Sequence, residues 1–113
     1  MVTITNFAAV EPGTVSDLKA ALAQGPTSVT IEADQLVFQL YKTGILDSEK
    51  CGTTLDHAVI AVGYGTDPDC GCDYYIVRNS WGASWGDAGY IKIAAVDGDG
   101  ICGIQMRASY PIA

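Results

Sequence analysis

Apolar positions near the start of the chain recur with the period of a helix. The apolar residues between positions 15 and 22 lie three and four residues apart, which is the spacing of one helical face. Thr14 precedes this face and Asp17 follows three residues later, an arrangement that resembles a capping box with Asp in place of Glu. Gly25-Pro26 ends the pattern. The sequence therefore predicts a helix here, and a second, shorter helix between positions 34 and 41.

The apolar runs in the rest of the chain are short and typical of β-strands. Residues His57 to Val62 are apolar almost throughout, which predicts a strand covered on both faces. Thirteen glycines punctuate the runs and indicate tight turns. The further extended segments are predicted at positions 1–10, 28–31, 74–77 and 90–93. We expect a single, mainly β domain over residues 1–113: a small, mostly antiparallel, barrel-like sheet with one or two short helices outside it.

Composition and charge exclude several classes of protein. Of the 113 residues, 49% are hydrophobic and 17% are charged, as in an ordinary globular domain. A net charge of −7 and only six basic residues argue against nucleic-acid or membrane partners, since both require clustered Lys and Arg. No stretch reaches the ~18 apolar residues of a membrane span. The first six residues lack the basic and apolar segments of a secretion signal, so we expect no signal peptide in this chain.

The four cysteines indicate disulfide bonds formed in an oxidising compartment. Three full pairings of Cys51, Cys70, Cys72 and Cys102 are possible from the sequence. Cys51, Cys70 and Cys72 also form, with His57, a set of four zinc-type ligands, but the spacing fits no zinc-binding pattern. We therefore expect neither a metal nor another cofactor.

His57 is the only histidine, and its side chain is the only one whose ordinary pKa lies near neutrality. Some twenty residues later comes the run Arg78-Asn79-Ser80-Trp81-Gly82. If the two strands are neighbours, the Asn79 side-chain oxygen can accept the Nδ1 hydrogen of His57 and leave Nε2 to act as a base. Trp81 would then cover this hydrogen bond and exclude water.

Several ordered motifs together resemble the papain and cathepsin L cysteine peptidases. The resemblance extends from about Val15 to Pro111, which is nearly the whole chain. It implies the right-hand, C-terminal half of the papain fold, an α+β fold whose active site lies between two halves. The motifs that carry it are Asp56-His57-Ala58-Val59, Val62-Gly63-Tyr64-Gly65, Asn79-Ser80-Trp81-Gly82-x-x-Trp85-Gly86-x-x-Gly89-Tyr90 and Cys102-Gly103-Ile104.

The resemblance assigns roles to individual residues. It implies that His57 is the catalytic acid and base, that Asn79 orients it, and that Trp81 shields the pair and borders the leaving side of the substrate. It also implies a disulfide between Cys51 and Cys102, and a secreted, lysosomal or vacuolar location. The residues at substrate-binding positions are Thr30, Leu55, Ala58 and Arg107, which line the pocket for the second residue before the cut, and Asp56, whose backbone pairs with the extended substrate.

The chain departs from the family in the nucleophile. The family's reactive cysteine belongs to the N-terminal helical half, in a Gln-x-x-x-x-x-Cys-Trp run in which the glutamine helps to form the oxyanion hole, and nothing here matches that run. We therefore expect a chain that is inactive alone and has three kinds of partner: the missing half, in cis or in trans, a peptide or protein substrate, and a second copy of itself.

Two residue-level questions and one functional question stay open. Cys70 and Cys72 can be bonded to each other, free, or paired with another chain. Arg107 favours an acidic substrate residue if it points into the pocket, and leaves an apolar preference if it points to solvent. The alternative function is a non-catalytic peptide- or protein-binding module derived from the fold. The presence of both His57 and Asn79 favours the peptidase, because a binding module has no physical need for both.

Overall fold

The computed structural model describes residues 6–112, which form one seven-stranded sheet and two short helices. The strand order is β1-β7-β2-β4-β5-β6-β3, and all pairs are antiparallel except β3 with β6. The prediction of a mainly β, mostly antiparallel domain with two short helices is confirmed. The elements are β1 (Asn6–Ala9), α1 (Val15–Leu22), β2 (Thr27–Ile31), α2 (Leu36–Gln39), β3 (Ile45–Leu46), β4 (His57–Asp67), β5 (Cys72–Arg78), β6 (Tyr90–Ala94) and β7 (Ala108–Ile112).

Helix α1 begins and ends where its sequence pattern predicts. The Thr14 hydroxyl oxygen accepts a hydrogen bond from the Asp17 backbone N–H at 3.2 Å, which satisfies one of the unpaired donors of the first turn. Leu18, Ala21 and Leu22 are buried and attach the helix to the sheet. Within residues 6–112, no helix is both long and apolar enough to cross a membrane.

The register of the central strands places the start of β4 and the end of β5 at the same edge of the sheet. Ile31 of β2 lies opposite His57, and Arg78 at the end of β5 lies opposite Ile60. Because β4 and β5 are antiparallel, the residue after Arg78 comes close to the residue that opens β4. The sheet thus brings together two positions that are 22 residues apart in the chain.

The two faces of β4 differ in a way that the sequence did not reveal. Val59 and Ala61 are buried in the core, whereas Ala58, Ile60 and Val62 point to the other face and are exposed. The prediction that this strand is covered on both faces is wrong for this chain. An unbroken apolar run indicates that both faces of a strand are suited to burial, but it does not identify what covers each face. No described residue covers the face that carries Ala58, Ile60 and Val62.

The predicted disulfide between Cys51 and Cys102 is present, and both cysteines are buried. It joins two short 3₁₀ turns, Glu49–Cys51 and Ile101–Gly103. The segment that begins at Glu49 continues to His57, the first residue of β4. The disulfide therefore restrains the position of the chain just before His57. The covalent link therefore supports the edge of the sheet where His57 lies.

The buried Glu32 carboxylate holds the same segment from the inside. It accepts hydrogen bonds from the Thr54 backbone N–H at 2.7 Å and from Gln35 Nε2 at 2.9 Å. Hydrogen bonds from Asp34 and from the Thr54 backbone keep the pKa of Glu32 below its usual value. The hydrogen bond between Asp34 and Glu32 also raises the pKa of Asp34. An ionised Glu32 thus acts as an anchor for residues 52–54.

The open question about Cys70 and Cys72 is answered by a disulfide between them. Both residues and Gly71 are exposed at the tip of the β4–β5 hairpin. The two disulfides therefore lie in opposite environments, one in the core and one at the surface.

Replacing Gly52 by alanine is expected to destabilise the fold by at least about 2 kcal/mol, because its backbone lies in a region that only glycine adopts easily. Gly52 has φ 77° and ψ −173°, and an added Cβ would also clash with Glu32 Oε1. Urea unfolding monitored by circular dichroism measures the change. The matched control is Gly44→Ala, at φ 85° with open space around the Cβ, and an equal loss in both variants would contradict the steric argument.

Candidate active site

His57 and Asn79 form a hydrogen-bonded pair at the edge of the sheet. The distance from His57 Nε2 to Asn79 Oδ1 is 2.8 Å. His57 is the first residue of β4, and Asn79 directly follows β5, where its backbone N–H donates to the Gly89 carbonyl at 3.0 Å. Asn79 is buried while His57 is half-buried, so the imidazole keeps one side accessible. The geometry is that of a base held by a neutral amide.

The backbone of Ser80 determines which way the amide of Asn79 points. The Ser80 N–H donates to Asn79 Oδ1 at 2.7 Å, so the atom facing both Ser80 and His57 must be an acceptor. His57 Nε2 must then carry a hydrogen, and in the neutral ring Nδ1 holds the free lone pair. Among the described residues nothing accepts from the buried Asn79 Nδ2, so these two oxygen contacts alone set the amide orientation.

The prediction that Asn79 engages Nδ1 of His57 is wrong, and the register gives the reason. Ile60 pairs with Arg78, so Asn79 continues opposite Val59 and is a diagonal neighbour of His57. A diagonal pair is more widely separated than a directly opposed pair, and the outer ring nitrogen, Nε2, is the one that reaches across. Nδ1 is thereby the ring nitrogen that Asn79 does not engage.

Trp81 covers the imidazole as the sequence predicts. Its ring stacks on His57 with centroids 5.3 Å apart and planes 23° apart. Phe38 and Trp85 meet Trp81 edge-on at 5.4 Å and 5.3 Å, and Trp85 Nε1 donates to the Gln39 carbonyl at 3.1 Å. These contacts hold the indole in place and keep water from one face of the ring.

Phe38 and Trp85 are supporting residues that the sequence reasoning did not assign to the site. Phe38 is buried in α2 and Trp85 stacks on it at 5.0 Å. Trp81 and Trp85 are four residues apart and each is followed by a glycine, which was the available signal that both indoles belong to one surface.

The structure brings only some of the residues predicted to bind substrate together at one groove. Thr30 lies directly opposite Ala58 across β2 and β4, and its backbone N–H donates to the Arg107 carbonyl at 3.1 Å. Thr30 and Arg107 also line one open groove of about 350 Å³. Arg107 is exposed and lines this groove.

Leu55 and Asp56 lie beside this groove rather than inside it. Leu55 and Met106 both lie next to Gly103, where an added Cβ would meet their side chains. The Asp56 backbone N–H donates to the Ile31 carbonyl at 2.9 Å, and its carboxylate accepts from the Ala33 backbone N–H at 2.8 Å. Pairing with an extended substrate would therefore fall to the Asp56 carbonyl. Residues of the groove that the sequence reasoning missed include Val10, Ser28 and Met106.

The described residues offer a possible base, the His57 imidazole, but no free thiol that could act as a nucleophile. All four cysteines are in disulfides, so none of them offers a thiolate. Among residues 6–112 no group of three metal-ligating side chains lies close enough together to hold a metal ion. The His57 imidazole can accept and deliver a proton, and no described cysteine is free to act beside it.

The sequence matches the family model described as papain family cysteine protease over residues 1–112. Among curated relatives, the probable cysteine protease RD21B of Arabidopsis thaliana is 54% identical over 99% of this chain and 24% of its own length. A cathepsin L-like protein of Caenorhabditis elegans is 52% identical over 88% of this chain and 30% of its own length. The chain thus spans less than a third of either relative.

Solved structures agree with this family. The bromelain protease of Ananas comosus in complex with the inhibitor E64 superposes with a TM-score of 0.88 and 44% identity, covering 96% of this chain and 50% of that one. The ragweed pollen allergen Amb a 11, a cysteine protease solved in its proform, gives 0.92 and 33% identity, covering 99% of this chain and 34% of that one. On the match of the family model and of these relatives, the chain belongs to the papain family of cysteine proteases.

Proposed function

We propose that this chain is the His57- and Asn79-bearing half of a papain-like cysteine endopeptidase, which hydrolyses peptide bonds by acyl transfer to a thiol. The nucleophilic cysteine and the oxyanion glutamine belong to a helical half that this sequence does not include. The single observation that carries the proposal is the His57–Asn79 hydrogen bond under the Trp81 indole, which prepares Nδ1 for proton transfer. On its own the chain has no thiol at that nitrogen and is inactive.

The uncovered face of β4 supports the same proposal. Ser28, Ala58, Ile60, Arg78 and Ser80 line a shallow depression of about 270 Å³ that also borders Asn79. Ile60 is 42% exposed and Val62 is 39% exposed, although both belong to an apolar strand. An apolar surface beside a half-built site is the surface on which the second half of the enzyme would pack.

In the assembled enzyme the first chemical step is acylation. The thiol of the partner half gives its proton to His57 Nδ1, and the resulting ion pair raises the fraction of nucleophilic thiolate. The thiolate attacks the peptide carbonyl, and the oxyanion hole of the partner half stabilises the tetrahedral intermediate. Imidazolium at His57 then protonates the leaving amine. The Asn79 oxygen keeps Nε2–H engaged throughout, so Nδ1 stays aimed at the reacting atoms.

The second step is hydrolysis of the thioester. Neutral His57 accepts a proton from water at Nδ1 as the water attacks the acyl carbon, and the thiolate leaves with the bond electrons. The stacked Trp81 limits access of other waters to one face of the ring. The substrate chain would lie along the groove that Thr30 and Arg107 line, with the Asp56 carbonyl as a backbone acceptor.

Reconstitution with a first-half domain tests the proposal. The chain is mixed with the isolated helical half of a related enzyme such as bromelain, and peptidase activity is titrated with E-64. We expect no activity and no trap labelling from the chain alone, and trap-sensitive cleavage from the mixture. A complex that forms without activity would support the binding-module alternative instead. Labelling of this chain alone by the trap would show that one of its own cysteines reacts, which would overturn the proposal.

The exposed β4 face also predicts self-association of the isolated chain. Burying Ile60 and Val62 against a second copy removes apolar surface from water, so the sedimentation coefficient should rise with concentration. The double variant Ile60→Thr/Val62→Thr should sediment as a monomer. The control variant Leu36→Gln/Leu40→Gln should still associate. It replaces two leucines, in and just after α2, that are even more exposed than Ile60 and Val62. A wild-type chain that stays monomeric at high concentration would refute the prediction.

Arg107 gives the assembled enzyme a preference for an acidic second residue before the cut. Its side chain is exposed at the rim of the groove, so the preference for Glu over Gln at that position should be only about two- to fivefold, the range of an exposed ion pair. Comparing kcat/KM on matched Glu and Gln peptides measures it. Arg107→Gln should abolish the preference, and Lys42→Gln, which removes an exposed charge elsewhere, should preserve it.

The two disulfides favour an oxidising compartment for the enzyme, such as the secretory route or a vacuole or lysosome. Fractionation of cells that produce the full-length protein, followed by detection with an antibody, tests this location. Recovery in the cytosolic fraction would contradict it.

A further inference from the structure

The disulfide at the tip of the β4–β5 hairpin has no part in the proposed peptidase chemistry. His57 opens β4 and Cys72 opens β5, so the pair lies at the opposite end of the hairpin from the active site. The ten residues of β4 between them span roughly 30 Å at the usual rise of a strand. A chemical change at Cys70 and Cys72 is therefore separate from the function of His57.

The two disulfides of the chain differ in their access to a thiol. Disulfide exchange requires a thiolate to reach one of the two sulfurs directly. Cys70 and Cys72 are exposed and so is Gly71 between them, whereas Cys51 is 0% and Cys102 is 1% exposed. A reductant in solution can attack the hairpin pair in the folded chain, whereas the core pair reacts only after local or global unfolding exposes it.

Three hydrogen bonds hold the hairpin turn in addition to the Cys70–Cys72 bond. The Gly71 N–H donates to the Asp67 carbonyl at 2.7 Å, and the Asp69 N–H donates to the Asp67 carboxylate at 2.8 Å. Thr66 donates to the Asp73 carboxylate at 2.7 Å across the two strands. These bonds close the turn by themselves, so reduction would leave the two thiols side by side and ready to re-form the disulfide.

The sequence separation of the pair supports the same conclusion. Only one residue lies between Cys70 and Cys72, so their bond removes little conformational freedom from the unfolded chain. Gly71 has φ 68°, a conformation that glycine adopts without strain, and the backbone can close the small ring. Loss of this disulfide should therefore leave the folded state populated.

We propose that Cys70 and Cys72 form a reversible redox site that exchanges with low-molecular-weight thiols while the chain stays folded, a role beyond the peptidase. A small thiolate attacks one sulfur of the pair, the S–S bond breaks, and the other cysteine leaves as a thiolate that takes a proton from water. A second small thiol attacks the mixed disulfide and releases the second cysteine. In sum the protein disulfide gains two electrons and two protons, and two small thiols become one small disulfide.

The charge around the pair selects among such thiols. Asp67, Asp69 and Asp73 flank it, and Lys19 offsets part of this charge through its ion pair with Asp73 at 2.9 Å. The negative surface attracts a cationic thiol and repels an anionic one, and dissolved salt screens both effects. Cysteamine should react faster than 2-mercaptoethanesulfonate when rates are compared per thiolate. Added salt should slow the first and speed up the second.

Differential alkylation tests the proposal. The folded chain is exposed to each thiol without denaturant, quenched with N-ethylmaleimide, digested and analysed by mass spectrometry. We expect the peptide with Cys70 and Cys72 to be labelled at least about tenfold faster than the peptides with Cys51 and Cys102, because burial restricts the core pair to rare openings. The circular dichroism spectrum should stay unchanged. Oxidised glutathione should re-form the Cys70–Cys72 disulfide, so that N-ethylmaleimide no longer labels these cysteines.

The Cys70→Ser/Cys72→Ser variant is the matched control, since any labelling that remains in it reports the core pair alone. The proposal is overturned if the hairpin cysteines stay unlabelled in the folded chain, or if both disulfides open at the same rate. It is also overturned if reduction of the hairpin pair unfolds the chain. Equal rates and equal salt dependence for the two thiols would refute the charge selection.

Discussion

Replacement of His57 by alanine is expected to lower kcat/KM of the reconstituted enzyme by about 10³- to 10⁴-fold, since positioned acid–base catalysis supplies up to that factor. The loss arises because no other described side chain can replace Nδ1 at the edge of the sheet, where the imidazole is held by Asn79 and Trp81. Steady-state kinetics on a peptide substrate measures the effect. The far-ultraviolet spectrum should be unchanged, because His57 is only half-buried.

The Asn79→Ala variant should show a smaller loss of activity than His57→Ala. It removes a hydrogen bond to a group that becomes charged, so we expect a loss of about 10- to 100-fold, which corresponds to a bond worth about 1.5–3 kcal/mol. The reduction should fall mainly on kcat, since Asn79 is buried behind the imidazole and touches no substrate position. If His57→Ala were no worse than Asn79→Ala, His57 would not be the acid and base.

Removal of the core disulfide by Cys51→Ala/Cys102→Ala should destabilise the chain by about 4 kcal/mol in the chain-entropy model. The bond closes a loop with a sequence separation of 51, and it ties the segment before His57 to the rest of the sheet. That loss is a large share of the stability of a small domain. Thermal or urea unfolding of the purified variant measures it, and a large fraction unfolded at body temperature is the expected result.

The hairpin variant Cys70→Ala/Cys72→Ala is the internal control for this experiment. Its disulfide has a sequence separation of 2, so the same model gives a loss below about 2 kcal/mol. Comparable losses in both double variants would show that loop length is not what makes the core disulfide stabilising. A core variant as stable as the parent would show that the Cys51–Cys102 bond does not stabilise the fold.

Local signals in the sequence predicted the elements of this fold well. Thr14 and Gly25-Pro26 mark the bounds of α1 because capping and chain breaking act within one turn. The apolar runs located β2, β4, β5 and β6. The strands β3 and β7 were not predicted, since each is defined by its partner across the sheet rather than by its own pattern. Residues 1–5 of the first predicted segment lie outside the described part of the chain.

The candidate site was predicted in its members but not in its geometry. The motifs around His57, Asn79 and Trp81 identified the residues, and the structure brings them together. The ring nitrogen that meets Asn79 could not be predicted, because it depends on a diagonal offset between β4 and β5. The open face at Ile60 could not be predicted either, because periodicity does not identify what covers an apolar surface.

The aromatic cluster gives the chain a built-in optical probe. Its only tryptophans are Trp81 and Trp85, which lie 5.3 Å apart beside His57. Emission excited selectively in tryptophan therefore arises from the candidate site alone, with no background from the rest of this chain. If the proposed helical half docks beside this cluster, the emission should shift as water leaves it, so assembly can be followed without attaching a dye.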